Sequence, residues 1–240
     1  RVQHLAADGT VLETWGSFAS LDQGEAPGGT FNEPWGIAVA PDGTVYVADT
    51  WNHRIQHFSA DGRFIGMWGT FGQAETQAAF WGPRDVAVDS TGRVYVADTG
   101  NKRIVVFDKA GNPLGEIGEP GGGPLEGQLD EPVGIALGAD GLVYIADTWN
   151  SRIQIFSEGD PNVWQPLRSW SLDAWLTNSL ENKPYLDISQ NGDVCASDPD
   201  GYRMLCFDAE GTFIAGWGSP GTDLTQFGLP VGVAFDSACG

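Results

Sequence analysis

The side chains able to do chemistry in this 240-residue chain fall at fixed intervals. Asp49 stands five positions before Arg54, and the pair returns as Asp98 with Arg103, Asp147 with Arg152 and Asp198 with Arg203. A carboxylate and a guanidinium at that spacing face each other across a tight hairpin connection. A catalytic carboxylate would need one copy to depart from the rest. All four keep the spacing, which points to a structural role in fixing the connection and its register.

The three histidines are His4, His53 and His57, and His4 and His57 share one position of the repeating pattern. Zinc needs several ligands that converge, and a serine or cysteine nucleophile needs a placed base. Neither pattern is present, so no catalytic residue, metal ligand or cofactor is expected. Asp198-Pro-Asp-Gly201 lacks the spaced oxygen ligands of a calcium loop and reads as a turn. Cys195 and Cys206 flank the Asp198–Arg203 turn symmetrically. Other copies place Tyr46 opposite His57, Tyr95 opposite Val106 and Tyr144 opposite Ile155. Facing cysteines can form a disulfide, although bridges between adjacent strands are strained. Two reduced, buried thiols are the other reading. Cys239 stands outside this pattern.

Aromatic side chains supply binding chemistry instead. Trp15, Trp68, Trp170 and Trp217 recur at one strand end and read as scaffold. Trp51 and Trp149 occupy a turn where other copies have Gly100 and Asp200. Trp35 follows a recurring proline, where Arg84, Val133, Tyr185 and Val231 take its place; Trp81, Trp164 and Trp175 fall in loops. Aromatics and arginine at variable positions are what a binding surface is made from. Packing beneath long loops as satellite cores is the alternative.

The elements that must position these residues follow from the repeat. Val45-Tyr-Val-Ala-Asp-Thr-Trp-Asn-His-Arg-Ile-Gln-His-Phe58 returns at 94–107, at 143–156 and, degenerate, at 194–207. Each copy follows a proline-led apolar run starting at Pro34, Pro83, Pro132 or Pro184, with a fifth at Pro230. A unit of this size holds four short antiparallel strands with turns such as Pro41-Asp-Gly43 and Ala60-Asp-Gly62, a propeller blade. No stretch has sustained helical periodicity. The expected fold is an all-β, single-domain propeller over 1–240, with blades at 34–69, 83–118, 132–170 and 184–218. Partial-blade strands are expected at 1–15 and 230–240, and a connecting loop at 16–33. Five blade positions can be counted if the ring closes. The arithmetic of the repeat also expects a fragment of a longer chain, which could carry a sixth.

These residues resemble the NHL-repeat family, whose signature is a strand ending in Ala-Asp-Thr, a turn with Asn, then Arg and an apolar strand. The resemblance covers essentially the whole chain. It implies a β-propeller, usually six-bladed, and fixes no activity: such propellers serve as sensors, adaptors, RNA binders and, in the peptidyl-hydroxyglycine amidating lyases, enzymes. A lyase would want a metal-binding set around the central channel, which this sequence does not offer.

Composition narrows the choice. There are 32 acidic against 12 basic side chains, a formal charge of −20. Nucleic-acid binding rests on Lys and Arg neutralising phosphates, so RNA is disfavoured, as are anionic membranes. No stretch is long enough to span a bilayer as a helix. The expectation is a monomeric, non-catalytic module that binds a protein, peptide or glycan without inserting in a membrane. Its site would lie on the rim of second-to-third turns and blade-to-blade loops. Trp35, Arg84 and Tyr185 are expected at the channel mouth, Trp51 and Trp149 farther out, and Trp81 in a loop of that rim. The possible disulfide, low lysine content and resemblance to bacterial propeller ectodomains lead to an extracytoplasmic placement in a larger bacterial protein. A lyase-type enzyme with a channel metal and a spacer without a ligand are the alternatives.

Overall fold

The computed structural model describes residues 1–119, 122–176 and 184–235. It is all-β, a β-propeller of four-stranded antiparallel blades, with no α-helix among the described residues. The first blade runs Pro34–Val39, Val45–Asp49, Arg54–Phe58 and Phe64–Trp68, and the second Asp85–Val88, Val94–Asp98, Arg103–Phe107 and Pro113–Ile117. The third runs Pro132–Leu137, Val143–Asp147, Arg152–Glu158 and Trp164–Ser171, and the fourth Leu186–Ile188, Val194–Asp198, Arg203–Phe207 and Phe213–Trp217. In each sheet the strands lie side by side in chain order, as hairpin connections require. Val2–Leu5 and Val11–Trp15 form a two-stranded ribbon of the third-and-fourth-strand kind.

The chain divides into two compact units, Arg1–Gly115 and Glu116–Gly240. In the first, aliphatic and aromatic residues of the first two blades interdigitate: Tyr46, Ala48 and Ile55 pack with Phe80, Val86, Val94, Val96 and Phe107. In the second, Tyr144, Ile153 and Ile155 pack with Leu186, Val194, Leu205 and Phe207. The middle strands read as continuous apolar runs because both of their faces are covered. Burying each such side chain stabilises the fold by about 1.5–3 kcal/mol. The tryptophan ending a fourth strand lies against the hairpin glycine of the following blade. A Cβ on Gly62 would come within 2.7 Å of Trp15, and one on Gly111 within 2.8 Å of Trp68.

Three expectations need correction. The partial-blade strand expected at 230–240 is not a strand over its described part, 230–235. First strands elsewhere pair with the second strand of their own blade, and among the described residues no strand pairs with 230–235. Instead the Val231 carbonyl accepts a bond from Ser197 Oγ at 2.8 Å, and Phe235 N–H donates to Asp187 at 2.7 Å. The fourth strand of the third blade takes in a tryptophan expected in a loop. It begins at Trp164, paired with Glu158, so Trp164 belongs to a sheet and not to a loop. Finally, the connecting segments hold local structure. Ser17–Phe18 runs parallel to Thr30–Phe31, and Thr70–Phe71 to Ala79–Phe80, where each segment enters and leaves side by side.

Candidate functional site

In the first three blades the second-to-third connection is a 3₁₀ turn that ends in a left-handed residue, at His53, Lys102 and Ser151. The repeated aspartate anchors it. In the first blade Asp49 Oδ1 accepts the Asn32 N–H at 2.7 Å. Its Oδ2 accepts from Asn52 at 2.9 Å, Arg54 Nε at 2.7 Å and Gln56 at 2.9 Å. Arg54 and Gln56 donate onward to the Thr30 carbonyl. The buried pair therefore ties the turn to the loop that precedes the blade. The third blade repeats the arrangement with Asp130, Asp147, Asn150, Arg152 and Gln154. The second keeps Asp98, Asn101 and Arg103 but has Val105 in place of the glutamine. In the fourth, Arg203 still pairs with Asp198 at 2.7 Å but is 46% exposed. Burial pushes the carboxyls of Asp98 and Asp147 up, against the hydrogen bonds that pull them down.

The same connection carries the rim tryptophans. Trp51 N–H donates to Asn32 O, Gly100 N–H to Trp81 O, and Trp149 N–H to Asp130 O, so turn and preceding loop share one rim. In the first unit, Gly36 follows Trp35 where two inner strands nearly touch. A Cβ there would lie 2.5 Å from Asp85 Cα. That approach carries Arg84 over Trp35, its guanidinium carbon 4.4 Å from the ring centroid and 5.9 Å from that of Trp51. Cation–π contacts of this kind contribute about 0.5–1 kcal/mol when partly exposed.

From Trp51 the aromatic surface continues outward. Its Nε1 donates to Glu33 at 3.1 Å, and its ring meets His53 edge-on at 6.3 Å. His53 packs on Phe71 at 4.8 Å, and Phe71 meets Trp81 edge-on at 6.4 Å. Trp51, Trp81 and Phe71 are 37%, 42% and 59% exposed. His53 Nδ1 accepts the Gly82 N–H at 3.0 Å, which leaves Nε2 to carry the proton of the neutral ring. Burial holds its pKa below the ordinary histidine value, against the opposing pull of Asp22 and Asp49. Glu33 adopts φ 49° immediately before a proline, where a residue with a Cβ is strained. Gly82 takes that position in the second blade and Glu131, at φ 45°, in the third.

In the second unit, Trp149 has the turn position of Trp51 and is similarly exposed. Val133 stands where the first blade has Trp35, fully buried. Tyr185 stands where the second blade has Arg84; it too is buried, with its N–H on Ser197 Oγ at 2.9 Å. Trp175 is buried in a 3₁₀ turn and donates to the Ser197 carbonyl at 3.1 Å. Cys195 and Cys206 are register partners with Cα atoms 4.1 Å apart, joined as a disulfide. Cys239 lies outside the described residues.

The structure thus brings Trp35, Arg84, Trp51 and Trp81 onto one surface of the first unit, and places Trp149 and Tyr185 in the second. Sequence reasoning missed Glu33, His53 and Phe71. Only Glu33 left a signal, as a charged residue wedged between Asn32 and the blade-opening proline. Among the described residues, no group of three or more His, Cys, Asp or Glu could hold a metal ion. None of the helices is long and apolar enough to cross a membrane, again among the described residues.

Repeated four-stranded blades define a β-propeller, and the first three carry Asp–Asn–Arg turns of the NHL kind. The NHL repeat profile matches at 31–58, 80–107 and 129–156, the first three repeats read from the sequence. A 52-residue stretch is 44% identical to Protein brain tumor of Drosophila melanogaster, spanning 22% of this chain and 5% of that protein. Among solved structures, virginiamycin B lyase from Staphylococcus aureus superposes with a TM-score of 0.54 at 18% identity, over 75% of this chain and 54% of that one. The nidogen/laminin complex gives 0.57 at 17% identity, over 79% of this chain and 65% of the matched chain. The likeness extends to both a lyase and a binding protein, and at these identities it is a likeness of fold. The chain spans between half and two thirds of these solved structures.

Proposed function

We propose that this propeller is a non-catalytic binding module that recognises a protein, peptide or glycan on the rim of second-to-third turns and long loops. The observation that carries this reading is the Arg84 guanidinium on Trp35, with Trp51, Phe71 and Trp81 exposed beside it. A rigid blade frame holds large aromatic surfaces in water at a place where the repeat does not require them. Titratable groups nearby are committed: His53 through Nδ1 to Gly82, and Asp49 to four donors. A channel metal of the lyase kind has no matching donor set among the described residues. The solved neighbour in a nidogen/laminin complex is itself a protein-binding example of the fold. An extracytoplasmic setting, as part of a larger bacterial protein, accords with the Cys195–Cys206 bridge, because disulfides persist in oxidising compartments.

The test is partner capture with purified protein against Trp35→Ala and Arg84→Ala. Each is expected to weaken binding about tenfold, as truncation of an aromatic or arginine hot spot does. Full affinity in both variants, with a loss on altering the Asp42 and Asp61 hairpins, would move the site to the opposite rim.

A further inference from the structure

The exposed aromatic arc is two-ended. At one end Arg84 already covers Trp35 and approaches Trp51. At the other, Phe71 and Trp81 meet edge-to-face at an interplanar angle of 85°, and both side chains stay exposed to water. Carboxylates border the arc. Glu33 is bonded to the Trp51 edge, Asp22 acts on His53, and Glu75 reaches back to Gly72, the neighbour of Phe71. Glu33 is held in a left-handed conformation, as Glu131 is in the third blade, which fixes its carboxylate beside Trp51. The chain as a whole carries a charge of −20.

We propose that the Phe71–Trp81 corner, bordered by Glu75 and reached through Trp51 and Glu33, receives an arginine or lysine side chain from a basic peptide segment of a partner protein. The inference rests on the binding-module reading and names the partner's chemistry. Paired aromatic faces attract a cation through their quadrupoles, as Trp35 holds Arg84 within the same surface. The bordering carboxylates add direct attraction, and the field of the acidic chain steers basic partners toward it. A neutral glycan would use the same rings but gains nothing from that charge.

The experiment titrates the whole chain with a fluorescent peptide of alternating arginine and glycine, and with the same peptide carrying citrulline for arginine. A panel of neutral oligosaccharides completes the set. The arginine peptide is expected to bind at least about tenfold more tightly than the citrulline peptide, and to weaken as salt is raised. Phe71→Leu keeps apolar area but removes the π face, and is expected to weaken arginine-peptide binding about fivefold with the fold intact by circular dichroism. Trp81→Leu is expected to do the same. Equal affinity for arginine and citrulline peptides, or arginine-peptide affinity untouched by Phe71→Leu, would overturn the inference. Binding of an oligosaccharide alone would overturn it while leaving the module reading in place. Failure of every probe on the unaltered chain would count against both.

Discussion

The rims of the first and third blades are built on one plan and end differently. Both have a glutamate at positive φ before a proline, an aspartate holding four donors, and an exposed tryptophan in a 3₁₀ turn. In the first blade the residue after the proline is Trp35, and its neighbour on the adjacent inner strand is Arg84, both part-exposed and stacked. In the third, the equivalents are Val133 and Tyr185, both turned into the core. The inner strands approach closely in each case: a Cβ on Gly36 would lie 2.5 Å from Asp85 Cα, and one on Gly134 2.9 Å from Leu186 N. The backbone geometry is thus shared, and two side-chain choices decide between a rim that faces outward and one that closes. Scaffold and variable rim are separable in this molecule because they draw on different positions of the same repeat.

If the frame is shared, Asp49→Ala and Asp147→Ala should be equally damaging. Each strands a buried or nearly buried arginine and a buried glutamine, and the expected loss is about 3–5 kcal/mol in urea unfolding. A difference of more than about 2 kcal/mol between them would break the comparison at its base. The equivalent change at Asp198 should cost less, because Arg203 stays half-exposed to water.

The contrast itself is sharpest at the residues that differ. Tyr185→Ala should cost about 3 kcal/mol by leaving a cavity, whereas Arg84→Ala should cost about 1 kcal/mol or less, the value of a part-exposed cation–π contact. Thermal and chemical denaturation of the two variants would check this. Equal losses would mean that Arg84 is a packing residue after all.

The smallest expected effect is the pH dependence that His53 contributes at the first rim. The folded-state pKa of His53 lies below its unfolded value of 6.5, so between the two the unfolded chain binds the extra proton. Stability from this residue is fully present above that unfolded value and is lost as pH falls through the folded one. His53→Ser, which copies Ser151 of the third blade, should flatten the slope of stability between neutral and mildly acid pH. His57, depressed by burial in the same direction, will retain part of it. An unchanged slope in the variant would show that His53 is not a contributor.

The sequence by itself determined the repeat, the four complete blades, the Asp–Arg pairing and the facing of Cys195 with Cys206. All of these are short-range: strand period, turn chemistry and hairpin register reach no farther than about a dozen residues. The variable positions Trp35, Arg84, Trp51 and Trp81 were also legible, as departures from an otherwise regular pattern. Only the tertiary structure decided which of them meet. Arg84 covers Trp35 because Gly36 lets two inner strands nearly touch, a contact across 49 residues that no local rule contains. His53 and Phe71 join the arc because a blade-to-blade loop folds back onto the turn of the preceding blade. Tyr185 was legible as a variable residue, but its burial depends on packing within the second unit. The run from Pro230 has the sequence of a first strand and is not one over its described residues, because a strand exists only where another pairs with it.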